Sequence, residues 1–216
     1  MDSLPDPVTL IVILGALSML PFLVVMGTCY VKLVIVFALV RNALGIQSIP
    51  PNIALHGLAL VLTLYIMMPV GVESYDNLVG QDFTLDSPAS LEAAAAVAVV
   101  PYRKFLARHA SESQLDFFVD TAASIWGDDY THELTRDNLF ILIPAFVVGE
   151  LTNAFKIGFL IYLPFIVVDL VVSNILLAMG MMMISPMTIS LPFKLLLFVF
   201  LDGWTRLVQG LVLSYQ

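Results

Sequence analysis

Apolar residues run along this chain in long blocks, and the polar positions between them mark out the elements. Residues 7–31 contain no charge. A hydrocarbon core of about 30 Å takes roughly 20 residues at about 1.5 Å each, so this block predicts a membrane-spanning helix. Residues 42–72 also lack charge, but Pro50 and Pro51 lie inside them, and proline removes a backbone donor and clashes with the preceding turn. The second span is therefore predicted over residues 52–68, which is short. Residues 138–168 form a third block, interrupted by Glu150 and Lys156, and residues 170–193 a fourth without acidic or basic side chains. Residues 195–213 continue apolar with Asp202 and Arg206 inside them, as a further hydrophobic helix or a return hairpin.

The polar stretch in the middle carries helix signals of its own. Ser87-Pro88 offers an N-cap followed by proline at the first helical position, and the alanine-rich run behind it is predicted to close at Pro101. Ser111 with Gln114 fits a capping box. Leu115, Phe118, Val119, Ala122 and Trp126 then recur at helical spacing, with Asp116 and Asp120 on the other face. That stripe predicts a core face for a small helical element. Three segments result: a membrane hairpin over residues 1–72, an acidic helical insert over 73–137, and C-terminal membrane hairpins over 138–216.

Composition and charge sharpen this division. Of 216 residues, 60% are hydrophobic and only 12% charged, against about a quarter charged in an ordinary soluble domain. The net charge of −8 resides entirely in the insert, where twelve acids face four bases, Arg103, Lys104, Arg108 and Arg136. An acidic chain of this kind is no nucleic-acid binder. Lys32 and Arg41 flank the first turn, and basic loops face the cytoplasm. The N-terminus and the acidic insert are accordingly expected in the periplasm, with membrane lipid around the spans. The acidic N-terminus and the length of the first apolar run predict a retained segment rather than a secretory signal.

Charges inside apolar blocks need partners. Glu150 and Lys156 would each cost about 2.5–3.5 kcal/mol at a bilayer centre. At about 100° per residue they project to opposite sides of one helix, which calls for protein or water on more than one face. Lys32 is expected either to snorkel to the interface or to pair with Asp169 or Glu150. Asp169, beside Ser173 and Asn174, fits inter-subunit hydrogen bonding better than a proton relay. Lys32, Glu150, Lys156, Asp169, Asn174 and Lys194 are thus the candidates for polar or charged contacts between subunits.

Catalytic and cofactor signatures do not appear. His56, His109 and His132 sit in separate segments without paired Cys or His at ligand spacing, and Cys29 stands alone in an apolar run, as a small buried thiol would. There is no phosphate loop, GxSxG or HExxH string. The expectation is a protein without metal, cofactor or catalytic residues.

Ten methionines are present, and Met179, Met181, Met182, Met183 and Met187 fall within nine positions. With Gly180 and Pro186 among them, the segment fits a bent loop or helix end. Methionine's three rotatable bonds and soft sulfur conform to irregular apolar surfaces, so several copies converging on an axis would form a deformable seal. The strings Arg41-Asn-Ala-Leu-Gly45, Pro50-Pro-Asn52, Pro144-Ala-Phe146, Glu150-Leu-Thr152, Ala154-Phe-Lys-Ile-Gly158, Leu163-Pro-Phe165, Leu191-Pro-Phe-Lys-Leu195 and Asp202-Gly-Trp204, with Asp169 and the methionines, resemble one known family. It is the R subunit of the type III secretion export apparatus, SctR, whose flagellar relative is FliP, and the virulence branch is the more similar. Gly149 departs from the small hydroxyl residue usual in relatives.

The resemblance implies an all-α membrane protein of apolar hairpins with a small periplasmic insert. Copies of it, a pentamer in the family, would assemble with S and T subunits into a pseudohelical cone. It implies the U and V export components and the inner rod or needle as further partners, and unfolded secreted proteins as cargo. By the same analogy Met181, Met182 and Met183 line the constriction as a gasket, in the bacterial inner membrane. A secondary transporter or ion channel is the competing reading, prompted by Lys156 and Asp169.

Overall fold

A computed structural model describes residues 7–46, 48–80, 88–127 and 135–216, and the described residues form helices without a strand. In chain order these are α1 (Pro7–Met26), α2 (Tyr30–Leu44), α3 (Asn52–Val79), α4 (Pro88–Ala98), α5 (Val100–His109), α6 (Glu112–Trp126), α7 (Leu139–Ala178), α8 (Pro186–Phe200) and α9 (Gly203–Leu213). By length and composition α3 and α7 can each cross a membrane, and the count rises to four if α1 with α2 and α8 with α9 are each one broken span.

Three element boundaries differ from expectation. The first apolar block is not one helix ending in a turn at Lys32: α1 ends at Met26, and α2 starts at Tyr30 and carries both Lys32 and Arg41. The second span starts at Asn52, where the proline pair leaves off, but runs on through Pro69 to Val79 for 28 residues. A single proline is tolerated in an apolar helix because local adjustment re-satisfies the freed carbonyl. The third and fourth apolar blocks are not separate spans. Residues 139–178 make one helix of 40 residues, about 60 Å long at 1.5 Å per residue. That is about twice the thickness of a hydrocarbon core. The remainder of the fourth block opens α8 after a turn.

The chain divides into two compact units. The first comprises residues 1–31 and 64–150. Its core gathers Phe105 and Leu106 of α5, Leu115 and Ala122 of α6, and Ile141, Leu142, Ala145 and Phe146 of α7, all buried. The Phe105 ring tilts against Phe146 at 5.7 Å and against His109 at 4.8 Å. The amphipathic stripe on α6 behaves as expected: Phe118 and Val119 are half-buried beside Leu115 and Ala122, while Asp116 and Asp120 face solvent. Trp126, at its far end, is more exposed and meets Phe140 edge-on at 6.4 Å.

The alanine-rich helix closes as expected, at Ala98 just before Pro101, and Pro101 itself lies in the first turn of α5, where its missing N–H costs nothing. The expected capping box is corrected. Ser111 is the N-cap of α6 but makes no side-chain cap bond, and its hydroxyl meets that of Ser113 at 3.0 Å instead. The Ser87 cap lies outside the described residues. Gly149 leaves room: an added Cβ would sit 3.7 Å from the Ser111 nitrogen, an ordinary contact.

The Tyr102 hydroxyl in α5 is closed off from solvent and meets no hydrogen-bond partner among the described residues. Burial pushes it up to about 12, because desolvation disfavours the phenolate. Above about pH 10 the unfolded chain releases this proton while the folded chain keeps it, so stability falls as pH rises toward about 12. Tyr102→Phe removes the unsatisfied group and should be neutral to stabilising, by up to about 1 kcal/mol at neutral pH. Denaturation midpoints at pH 8 and 11 check this: the variant should lose less stability between them than the wild type.

The second unit comprises residues 32–63 and 151–216. Leu33, Val36, Phe37 and Val40 of α2, Ala154 and Phe165 of α7, Phe198 of α8 and Leu211 of α9 form its core. Rings link in series, Phe37 to Trp204 at 6.1 Å, Trp204 to Phe198 at 5.6 Å and Phe198 to Phe165 at 6.4 Å. Helices α2 and α7 approach closely at Gly158, where a Cβ would fall 2.2 Å from the Leu39 side chain. After α2, Gly45 takes a positive φ of 75° and Arg41 donates to the Asn52 side chain and the Pro50 carbonyl, which fixes the chain into α3. At Asp202 the backbone turns left-handed and α9 leaves α8 at 57°.

Candidate functional site: the methionine hairpin and its charge cluster

Helix α7 ends in a geometry that its residue types dictate. Gly180 adopts φ 73°, its N–H donates to Leu177 O at 3.0 Å, and the Met181 N–H donates to Leu176 O at 2.9 Å. This pair of bonds is a Schellman motif, which needs a residue tolerant of positive φ after the last helical turn. Ser185 then stands at the N-cap of α8 in extended conformation, without a side-chain cap bond, and Pro186 occupies the first turn. The seven residues 179–185 thus form the tip of an α7–α8 hairpin.

The tip is apolar and open. Met179, Met181, Met182, Met183 and Met187 are all exposed, Met182 at 81% and Met183 fully. Four flexible thioether chains projecting from the tip, with Met187 from the first turn of α8, cannot be filling gaps in their own chain's core. The expectation of a bent loop or helix end is met.

Below the tip lies a polar cluster inside otherwise apolar helices. Asp169, roughly two and a half turns before the end of α7, accepts a hydrogen bond from Ser190 Oγ at 2.6 Å and pairs with Lys194 Nζ at 2.6 Å. Lys194 also donates to Ala43 O at 3.3 Å, one of the last carbonyls of α2 that lack an intrahelical partner. A cation there also complements the negative end of the helix. The Lys194 side chain is only 5% exposed, whereas Asp169 keeps 40%. One carboxylate and one ammonium therefore tie both arms of the hairpin to α2.

The other candidate residues stand apart from this cluster. Lys32 is not snorkelling: it is 3% exposed, and its ammonium sits 3.9 Å from the centre of the Tyr215 ring, close enough for a cation–π contact. Of the two carboxylates named as alternative partners for Lys32, Asp169 is held by Lys194 instead. Glu150 is buried at 2% while Lys156 and Asn174 on the same helix are exposed, in line with Glu150 and Lys156 projecting to different sides. Ser190, Ala43 O and Tyr215 are not legible in the sequence as site groups. Ser190 and Lys194 share one face of α8 at i, i+4, the one signal that could have found them. No group of three His, Cys, Asp or Glu side chains among the described residues could hold a metal ion. Cys29 is buried, as its apolar setting suggested.

The profile of the FliP family matches residues 13–211. The chain belongs to the FliP family. The chain is 57% identical over 215 residues to the Yop proteins translocation protein R of Yersinia pestis, covering 100% of this chain and 99% of that one. It is 50% identical over 220 residues to the virulence protein YscR of Salmonella typhimurium, covering 99% and 100%. The harpin secretion protein HrcR of Erwinia amylovora is 45% identical over 210 residues, covering 97% of each chain. This FliP-family chain is therefore an R-type subunit, and the likeness extends through the acidic insert as well as the apolar blocks that carry the motifs.

Proposed function

We propose that this FliP-family chain is a structural, non-enzymatic pore subunit of a type III secretion export gate in the bacterial inner membrane. Copies of the chain, five by family resemblance, join S and T subunits around a conduit for unfolded secreted proteins. Met181, Met182 and Met183 converge there as a compressible gasket, and the acidic insert faces the periplasm. The U and V export components and the inner rod or needle are its neighbours. The observation that carries this reading is the exposed methionine tip on a hairpin preset by Gly180 and Pro186. A side-chain ring of this kind closes by apolar dewetting at rest and yields to a passing chain because thioethers repack.

The length of α7 supports it. A helix of about 60 Å cannot lie wholly in a hydrocarbon core of about 30 Å, so much of its apolar surface needs protein around it. The transporter reading draws on Lys156 and Asp169, and of these Asp169 is neutralised within the chain by Lys194.

Thiol cross-linking tests the proposal. In cells carrying a secretion substrate stalled by a folded fusion, Met182→Cys should give a covalent adduct with that substrate. Ile125→Cys, exposed on the insert, should not. Equal adducts at both positions, or none at the tip while the substrate is stalled in the gate, would count against a conduit at the methionines.

A further inference from the structure

The break between α8 and α9 opens an apolar groove in the second unit, with a volume of about 460 Å³. Val40, Ile161, Phe165, Leu207 and Leu211 line it, and its one charged lining residue is Arg206. Two glycines give it depth. Gly203 is held against the Phe198 ring, where a Cβ would clash at 2.3 Å, whereas a Cβ on Gly210 would meet nothing within 4 Å. The volume lies within the roughly 300–1,000 Å³ of small-molecule sites.

Arg206 decides what the groove fits. Its guanidinium makes no ion pair among the described residues, although Asp202 stands four positions earlier on the same chain. The whole unit is short of anions: residues 32–63 and 151–216 hold five cations, Lys32, Arg41, Lys156, Lys194 and Arg206, against two carboxylates, a balance of +3. One of those carboxylates, Asp169, is engaged by Lys194 and Ser190. The same surface of a second copy would bring the same surplus of positive charge. No carboxylate among the described residues of this unit pairs with Arg206, and a phosphodiester matches the planar fork of arginine with two parallel N–H···O bonds.

From this we infer that the α7–α8–α9 groove binds an anionic phospholipid, its acyl chain along Ile161, Phe165 and Leu207 and its phosphate on Arg206. The inference requires only that the chain is membrane-embedded and is independent of the pore role. Lipid bound there would cover apolar surface at the α8–α9 break and neutralise a cation that a hydrocarbon environment penalises. A phosphatidylglycerol headgroup carries the needed net negative charge, and a phosphatidylethanolamine headgroup does not.

Native mass spectrometry of the full chain in detergent, titrated with phosphatidylglycerol or phosphatidylethanolamine, tests the site. The wild type should retain phosphatidylglycerol about tenfold more tightly than phosphatidylethanolamine, equivalent to about 1.4 kcal/mol. Arg206→Gln, at an exposed side chain, should erase that preference. Gly210→Leu fills the groove without touching Arg206 and should weaken retention of both lipids. Equal retention of the two lipids by the wild type, or an unchanged preference in Arg206→Gln, overturns the inference. So does a Gly210→Leu chain that keeps its lipid but loses self-association, because the groove then holds a second copy.

Discussion

Replacing Met181, Met182 and Met183 together by alanine should leave the chain folded and assembled but make the resting gate leak. The three side chains are exposed in the single chain, so their truncation removes little of its own core, and surface changes of that kind usually stay within about 0.5 kcal/mol. The backbone of the tip depends on Gly180, Ser185 and Pro186 rather than on the methionine side chains. On the proposed function, what the substitution removes is the apolar bulk that keeps water out of the constriction. A drop of only about 1.4 kcal/mol in that barrier raises passage about tenfold, and three long side chains from every subunit should exceed it. Entry of a membrane-impermeant small solute into cells producing the complex should therefore rise at least about tenfold. The triple leucine variant conserves apolar bulk but not flexibility; it should seal at rest and slow secretion, since branched chains repack less readily than thioethers. A triple alanine complex that assembles and does not leak would remove the gasket from the mechanism.

The tip itself is legible in the amino-acid sequence, because its instructions are local. A glycine after a helical run and a Ser-Pro pair before the next one specify a stop and a start. Asn52 as a helix start is equally readable from the two prolines before it. Local signals mislead where neighbours decide. Ser111 has the spacing of a capping box without the bond. The continuity of α7 is hidden for a different reason. Glu150, Lys156 and Asp169 punctuate its sequence as loop residues would, but the helix runs through all three. The charge cluster is out of reach because its register depends on the length of the turn. Shifting α8 by one residue relative to α7 would rotate Lys194 about 100° away from Asp169. The Lys32 contact with Tyr215 joins distant parts of the sequence, and no spacing rule spans such a separation.

Asp169 and Lys194 should respond unequally to substitution. The ammonium is almost fully enclosed and the carboxylate is partly open, 5% against 40%. Asp169→Asn keeps the shape but leaves the Lys194 charge buried with only Ala43 O and a neutral amide beside it. Removing one member of a buried pair costs about 3–5 kcal/mol, and this variant should fall near about 3 kcal/mol because the ammonium retains one carbonyl acceptor. Lys194→Met leaves a carboxylate that can hydrate at its open side and still accept from Ser190. Its cost should be nearer about 1 kcal/mol, the scale of an ordinary hydrogen bond. The double variant removes both charges and should recover much of the loss in Asp169→Asn, because no uncompensated buried charge remains. Thermal denaturation of the purified full chain in detergent reads the order: Asp169→Asn least stable, the double variant above it. Equal losses in both single variants, or a double variant no better than Asp169→Asn, would show that the pair is not what fastens the methionine hairpin to α2. The cluster would then be a set of independent polar contacts, and the position of the tip would rest on apolar packing alone.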